Sequence, residues 1–287
     1  MELMVIALVL GSAVLHPFRD LLIKGQSFPE SAYLGVTGSW VIFAALQATL
    51  LNQTLALPSE VWPLVAGSAL GLFIYYLCVM LTLKAGDLSV YYPIIRSSPL
   101  AIVAIGYLFL ERYYSPVTLM GIVLTLVGAI MIQYRRGAGL LQHPKLVLTA
   151  TLAMIGSAIY GLSDSVAMQH IEPAPFLFWV YTILTLAFTV FFTLSRSKKR
   201  PLSLQLFGCW RSTALQVLAS GALSYVSYVL ILLAFQAGGE VAAVSATRQA
   251  SIPISVLLGS LVLKEERLLA RLAWSLLLAG GVVLVII

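Results

Sequence analysis

Ala85-Gly86-Asp87-Leu88-Ser89-Val90-Tyr91-Tyr92-Pro93-Ile94-Ile95-Arg96 decides the fold, because a version of it returns as Ala237-Gly238-Gly239-Glu240-Val241-Ala242-Ala243-Val244-Ser245-Ala246-Thr247-Arg248. In both copies an arginine stands 11 residues after the alanine. Two further landmarks flank the pair in the same order. Gly11-Ser12-Ala13 precedes the first copy and Gly156-Ser157-Ala158 the second. Glu111-Arg112 follows the first and Glu266-Arg267 the second, with the arginine-to-glutamate distance three residues longer. Three landmarks in one order mark an internal duplication, with residues 1–138 as one half and 139–287 as the other.

The solvent of these halves follows from composition. Of 287 residues, 60% are hydrophobic and 10% charged, against about 25% charged in ordinary soluble domains. So little polar surface cannot cover a water-soluble globule, and the lipid bilayer is the expected solvent. A spanning helix takes about 20 apolar residues. Ten runs of that kind are read at 3–22, 32–51, 61–83, 88–110, 116–134, 147–169, 174–195, 213–236, 241–263 and 269–287. They leave no room for a soluble catalytic domain. The runs are continuous, which excludes the alternating pattern of a membrane β-barrel. Met1-Glu2-Leu3 lacks the basic start of a signal peptide, so the first run is expected to be retained.

Five spans per half make the second half enter from the opposite face. The expected fold is therefore an all-α integral membrane protein of ten transmembrane helices, arranged as two inverted five-helix repeats. Loop charge sets its orientation. The loops between spans 1–2, 3–4, 5–6, 7–8 and 9–10 hold 2, 1, 3, 5 and 3 Lys/Arg, 14 of the 17 in the chain. The other face holds Arg112, and Arg96 and Arg248 fall inside spans. The positive-inside rule places the rich loops in the cytoplasm and both termini outside a cell inner (plasma) membrane. The net charge of +6 is read as this orienting charge and not as a nucleic-acid footprint.

Arg96 and Arg248 are the residues the bilayer makes expensive. A central arginine costs about 2.5–3.5 kcal/mol on insertion scales. At about 1.5 Å per residue, each lies roughly 10–12 Å from its own entry face, deep for snorkelling. Because the two helices enter from opposite faces, their arginines are expected at similar depth, where they would attract an anion. The other reading is that each bonds carbonyls freed by Pro93, Pro99 or Pro253, or pairs with an acid. Those prolines suit bent backbone beside a cavity or a simple packing kink.

Other polar residues inside the spans are fewer. His16 is a candidate hydrogen-bond donor or proton carrier, or a satisfied structural histidine. Asp164 is a candidate for proton coupling, with partial solvation near its helix end or pairing with an arginine as the preferred reading. Tyr75 and Tyr76 in span 3 and Tyr225 and Tyr228 in span 8 occupy equivalent spans and, with Tyr160, are candidate cavity lining; membrane aromatics otherwise pack or mark interfaces. Gly121, Gly128, Gly280 and Gly281 in spans 5 and 10 suit close helix packing, as scaffold or homodimer surface. Cys78 and Cys209 form neither a disulfide framework nor a metal pattern. No cofactor is implied, and no nucleotide-binding P-loop is present.

These landmarks resemble the drug/metabolite transporter superfamily, specifically its EamA type, over essentially the whole chain. The repeat ending of that type, an apolar helix then Glu-Arg then a glycine-containing helix, is similar to Leu110-Glu111-Arg112 before Gly121 and Gly128, and to Lys264-Glu265-Glu266-Arg267 before Gly280-Gly281. One branch has a Leu-His-Ala-x-Trp-Asn-x-x-x-Lys pattern; Leu15, His16 and Lys24 match it, while Pro17, Arg19 and Asp20 depart. Its Tyr-Pro-x-x-Arg-Gly-x-x-Pro pattern is matched by Tyr92, Pro93 and Arg96, with Ser97 in place of glycine and Pro99 one residue early. Arg248-Gln249-Ala250-Ser251 resembles an Arg-Glu-Thr-Ser-like stretch of the same branch. The resemblance adds Tyr92, Ser97 and Gln249 to the candidate binding residues, and phosphonates to the candidate substrates.

The expected function is therefore secondary transport of a small polar anion or zwitterion (phosphonate, organic phosphate or carboxylate) by alternating access. Spans 1, 3, 4, 6, 8 and 9 would line the cavity. The alternatives are an exporter of amino acids or amphipathic and cationic compounds with structural arginines, and a membrane subunit that transports nothing. An intramembrane enzyme lacks its convergent acids or metal ligands in the spans. The expected partners are a small solute, the lipid bilayer and, as open possibilities, a coupling proton and a second copy of the chain.

Overall fold

The structure, a computed structural model, describes residues 1–23, 29–85, 91, 94–109, 111–133, 144–195, 201–254 and 268–287. The side chains of 16–17, 19–21, 23, 83–85, 133, 211–212 and 268–272 lie outside that description. The described residues are helical, with no strand among them. In chain order the helices are α1 Leu3–Ile23, α2 Pro29–Leu50, α3 Trp62–Ala85, α4 Ser98–Phe109, α5 Pro116–Gln133, α6 Pro144–Ala167, α7 Pro173–Leu194, α8 Leu202–Ser212, α9 Ala214–Gln236, α10 Val241–Thr247 and α11 Leu268–Ile286. Among the described residues, five segments are long and apolar enough to cross a membrane: α2, Ser59–Thr82, α6, α7 and α9.

Local chemistry explains the helix ends. Pro29, Pro116, Pro144 and Pro173 each open a helix, where the missing N–H goes unneeded and the fixed φ is already helical. Gly238, at φ +84°, stops α9 in the left-handed conformation that glycine adopts without strain. Gly238 N donates to Phe235 O at 3.0 Å and Gly239 N to Ala234 O at 2.8 Å. Glu240 then caps α10, its carboxylate accepting from Ala243 N at 2.8 Å. The repeated Ala-Gly landmark of the second half is thus a helix stop and restart.

The helices pack in four main pairs: α1 with α9, α3 with α6, α2 with α7, and α5 with α11. Lipid gives apolar helices no hydrophobic reason to associate, so close backbone approach and interhelical hydrogen bonds hold such pairs. Gly71 and Gly156 bring α3 and α6 together: a Cβ on Gly156 would stand 2.8 Å from both Gly71 O and Tyr75 N. At the α1–α9 crossing, Ser227 Oγ donates to Ser12 O at 3.0 Å, and the two hydroxyls lie 2.9 Å apart. Both Gly-Ser-Ala copies therefore sit at helix crossings. Gly121 and Gly128 serve the α5–α11 pair inside the chain, where added Cβ atoms would meet Gly281 O at 2.8 Å and Leu278 N at 2.7 Å. The chain ends meet as well, Met1 N donating to Ile286 O at 2.7 Å.

Two features differ from the runs read in the sequence. The link between the seventh and eighth runs contains α8, which docks on α2. Cys209 N donates to Ser31 Oγ at 3.0 Å, and Ser31 Oγ to Leu206 O at 3.1 Å. Burial there pushes the Cys209 thiol pKa up. Neither the fourth nor the ninth run is one continuous helix over its described part; the breaks fall at Ser97 and at Arg248.

Candidate functional site

Arg96 and Arg248 both stand at helix breaks. Residues 94–96 are helical, Ser97 turns, and α4 restarts at Ser98. Ser97 N bonds Ile94 O and Leu100 N bonds Ser97 O, each at 3.0 Å. Pro99 has no N–H to give to Ile95 O, so the ordinary ladder fails there. In the second half, α10 ends at Thr247 and tightens into a 3₁₀ turn at Arg248–Ala250 before residues 251–254 resume as helix. Pro253 lacks the N–H that would reach Gln249 O, the same defect five residues after its arginine where Pro99 stands three after Arg96.

One cavity receives both segments. It is partly open to solvent, and Arg96, Arg248 and Gln249 line it. Gln249 Nε2 donates to Arg96 O at 3.2 Å and to Ser245 O at 3.4 Å. The two arginine-bearing breaks are therefore tied directly to each other. Gln249 Oε1 is buried and has no hydrogen-bond partner among the described residues.

A row of tyrosines forms another wall. Tyr75 and Tyr160 meet edge-on at 5.8 Å, and Tyr160 and Tyr228 at 6.3 Å; all three line the cavity. Ser157 Oγ donates to Tyr160 OH at 3.3 Å. The Arg248 guanidinium carbon lies 5.7 Å from the centre of the Tyr228 ring, within cation–π range. Apolar wall comes from Ile95, Ile102, Ile231, Phe235, Val241 and Val244. The cavity is thus cationic at its helix breaks and mostly aromatic or aliphatic elsewhere, with hydroxyls from Ser98, Ser157 and Ser245.

Asp164 lies behind Tyr228. Its exposure is 0%, which corrects the expectation of partial solvation near a helix end. The helical ladder runs past Asp164, Met168 N bonding Asp164 O at 3.0 Å, and Tyr228 of α9 covers the carboxyl. Tyr228 OH donates a short hydrogen bond to Asp164 Oδ2. Ser68 and Arg248 also interact with the carboxyl electrostatically, although Ser68 Oγ reaches no full hydrogen-bond geometry. Asp164 Oδ1 has no hydrogen-bond partner among the described residues.

The structure thus brings Arg96, Arg248, Gln249, Tyr75, Tyr160 and Tyr228 to one cavity. Ser97 makes the turn, and its neighbour Ser98 lines the cavity instead. Tyr76 packs edge-on against Tyr33 at 5.7 Å. Tyr225 OH donates to Gln47 Oε1 at 2.7 Å, and its ring meets Trp40. Trp40 in turn stacks on Tyr181 at 4.1 Å and bonds Ser224 Oγ at 3.0 Å through Nε1, making a second aromatic layer. The His16 side chain and Tyr92 lie outside the described residues. Ser98, Ser157 and Ser245 were not singled out from the sequence as lining, yet each sits on or beside a landmark: Ser157 in a Gly-Ser-Ala copy, Ser245 three residues before Arg248 and Ser98 two after Arg96.

No family model and no curated protein matches the chain. A solved structure, described only as the crystal structure of a protein, matches with a TM-score of 0.78 at 15% identity. The match covers 98% of this chain and 96% of that one. At that identity the likeness is one of fold, and the fold extends along the whole chain.

Proposed function

We propose that the protein is a secondary transporter of a small anionic or zwitterionic metabolite, carrying a phosphonate, organic phosphate or carboxylate group. In this reading it belongs with the EamA-type drug/metabolite transporters. It has ten spans in two inverted repeats, 1–138 and 139–287, and works by alternating access in the inner membrane with both termini outside. The observation that carries the reading is the meeting of Arg96 and Arg248, one from each half, at breaks in one cavity. Transporters of this plan place substrate between repeats at interrupted helices.

The helix pairing supports the inverted repeat. If spans 1–5 correspond to spans 6–10, the α1–α9 and α3–α6 pairs exchange under that relation, while α2–α7 and α5–α11 map onto themselves. The contact of Met1 with Ile286 supports an even number of crossings. Guanidinium forks match phosphonate and carboxylate oxygens. The buried Gln249 Oε1 offers an acceptor for the ammonium of a zwitterion.

Thermal stability of the purified full chain tests this reading against methylphosphonate, aminomethylphosphonate, succinate, an uncharged sugar and choline. A ligand at a hundredfold excess over its Kd stabilises by about 2.7 kcal/mol. Stabilisation by the anions and the zwitterion, abolished in Arg96→Gln/Arg248→Gln, is expected. Equal stabilisation by choline or the sugar, or anion stabilisation that survives the double substitution, would overturn it. The apolar wall of Ile102, Ile231 and Phe235 favours a second reading, export of amphipathic compounds, for which choline-like ligands alone would stabilise.

A further inference from the structure

We propose that Asp164 is a proton-binding site linked through Tyr228 to anion binding at Arg248, so that anion and proton occupy the protein together. This deepens the transport reading and rests on it for the linkage, though the proton site itself stands on separate geometry.

Tyr228 touches both charged groups with different parts of one side chain. Its ring face lies beneath the Arg248 guanidinium at 5.7 Å, and its hydroxyl donates to Asp164 Oδ2. The cation is at the cavity surface and the carboxyl, with no exposure, is behind it. A buried carboxylate is tolerated when a nearby cation and hydrogen-bond donors compensate it. Among the described residues, the ionisable groups facing Asp164 are Tyr228 on α9, Tyr181 on α7 and Arg248 after α10. Ser68 on α3 adds a hydroxyl, and Tyr160 on α6 stands on the far side of Tyr228. Arg248 is the cation in that set.

The consequence is competition for one positive charge. With the cavity empty, Arg248 compensates the Asp164 carboxylate. An anion at Arg248 takes up that charge and leaves the carboxylate buried without it. The carboxylate then accepts a proton from the aqueous phase the cavity faces; one O–H bond forms at Asp164 and one hydronium is consumed. Oδ1, which has no hydrogen-bond partner among the described residues, is open to receive it while Tyr228 keeps Oδ2. Linkage is reciprocal, so protonation of Asp164 tightens anion binding by the same factor. Were the same pair carried across together, a proton gradient would drive the anion.

Infrared difference spectroscopy of the full chain in lipid tests the site without any anion. A carboxylic C=O band that grows on acidification, disappears in Asp164→Asn and shifts in Tyr228→Phe is expected. Its absence from the wild type between mildly acidic and mildly alkaline pH would overturn the proton site. Where Asp164→Asn fails to fold, the Tyr228→Phe shift decides the assignment: an unmoved band overturns it. Proton uptake is then read with an indicator dye in weak buffer as methylphosphonate is added. One proton per bound anion, lost in Asp164→Asn, supports the linkage; binding without uptake overturns it. Failure of methylphosphonate and every other anion to bind would instead overturn the anion reading, and with it the linkage, leaving the infrared band to judge the proton site alone.

Discussion

Arg96 and Arg248 stand at the same spacing after Ala85 and Ala237 and have different surroundings. Arg96 follows a short helical stretch and precedes a single-residue turn, with its carbonyl held by Gln249. Arg248 opens a 3₁₀ turn and lies over Tyr228, which hydrogen-bonds a fully buried carboxyl. Counting from the Gly-Ser-Ala landmarks extends the contrast. Eight residues after Gly156 stands Asp164, and eight after Gly11 stands Arg19. Both segments have a backbone break and a cation, while the residues at the matching sequence spacing, Arg19 and Asp164, differ in charge. The sequence therefore has a base in the first half where it has an acid in the second.

Single substitutions separate the two arginines and give the largest expected effect. Arg248→Gln removes both an anion partner and the cation nearest Asp164. Its stability at neutral pH should fall by about 1–3 kcal/mol, and methylphosphonate stabilisation should vanish. The gap from wild type should narrow in acid, where the carboxyl is neutral in both proteins. Arg96→Gln should lose anion stabilisation with no such narrowing. Melting curves of both variants across pH check this, and identical pH profiles would erase the contrast.

A smaller effect is expected from Gln249→Leu, which removes the bond between the two breaks. One neutral hydrogen bond contributes about 0.5–1.5 kcal/mol. Anion affinity should weaken by up to about tenfold through poorer positioning of both arginines, and Arg248→Gln should mask the change. Calorimetric titration of single and double variants reads it.

The smallest effect belongs at the outer rim, which both halves share. Arg112 and Glu240 approach to 3.9 Å with side-chain exposures of 36% and 39%, a geometry worth about 0–1 kcal/mol. Beside them, burial first, then the Glu240 charge, pushes Tyr114 up to about 12, with Arg112 opposing. The sign follows: a folded-state value above the unfolded one, about 10, gives a contribution fully present below that value and lost as pH rises through about 12. Phenolate absorbance should titrate one tyrosine at higher pH in the wild type than in Glu240→Gln, with Arg112→Gln moving it the other way.

Much of this architecture was legible because it is written in local chemistry. The apolar runs anticipated most of the helices, within a few residues at each end. Prolines fixed the starts of α2, α5, α6 and α7, and Gly238 fixed the end of α9, since those residues constrain φ wherever they occur. The repeated landmarks pointed to Arg96 and Arg248 because an arginine in an apolar run is costly in any arrangement. α8 was not read, because its 11 residues fall short of the about 20 of a span and its docking depends on Ser31 of α2.

Side-chain partnership was decided by tertiary structure. Tyr75, Tyr76, Tyr225 and Tyr228 looked equivalent in the chain, yet two line the cavity and two pack elsewhere. The difference is which helix crosses at that level and whether Gly71 and Gly156 let it come close. Asp164 looked like a helix-end acid open to water. Its burial against Tyr228 depends on α9, more than 60 residues away in the chain. The sequence by itself determined where charge would be expensive and where helices must break, because those are properties of single residues in an apolar solvent. Only the packing decided which of those charges meet, because that depends on distances between helices that no local pattern encodes.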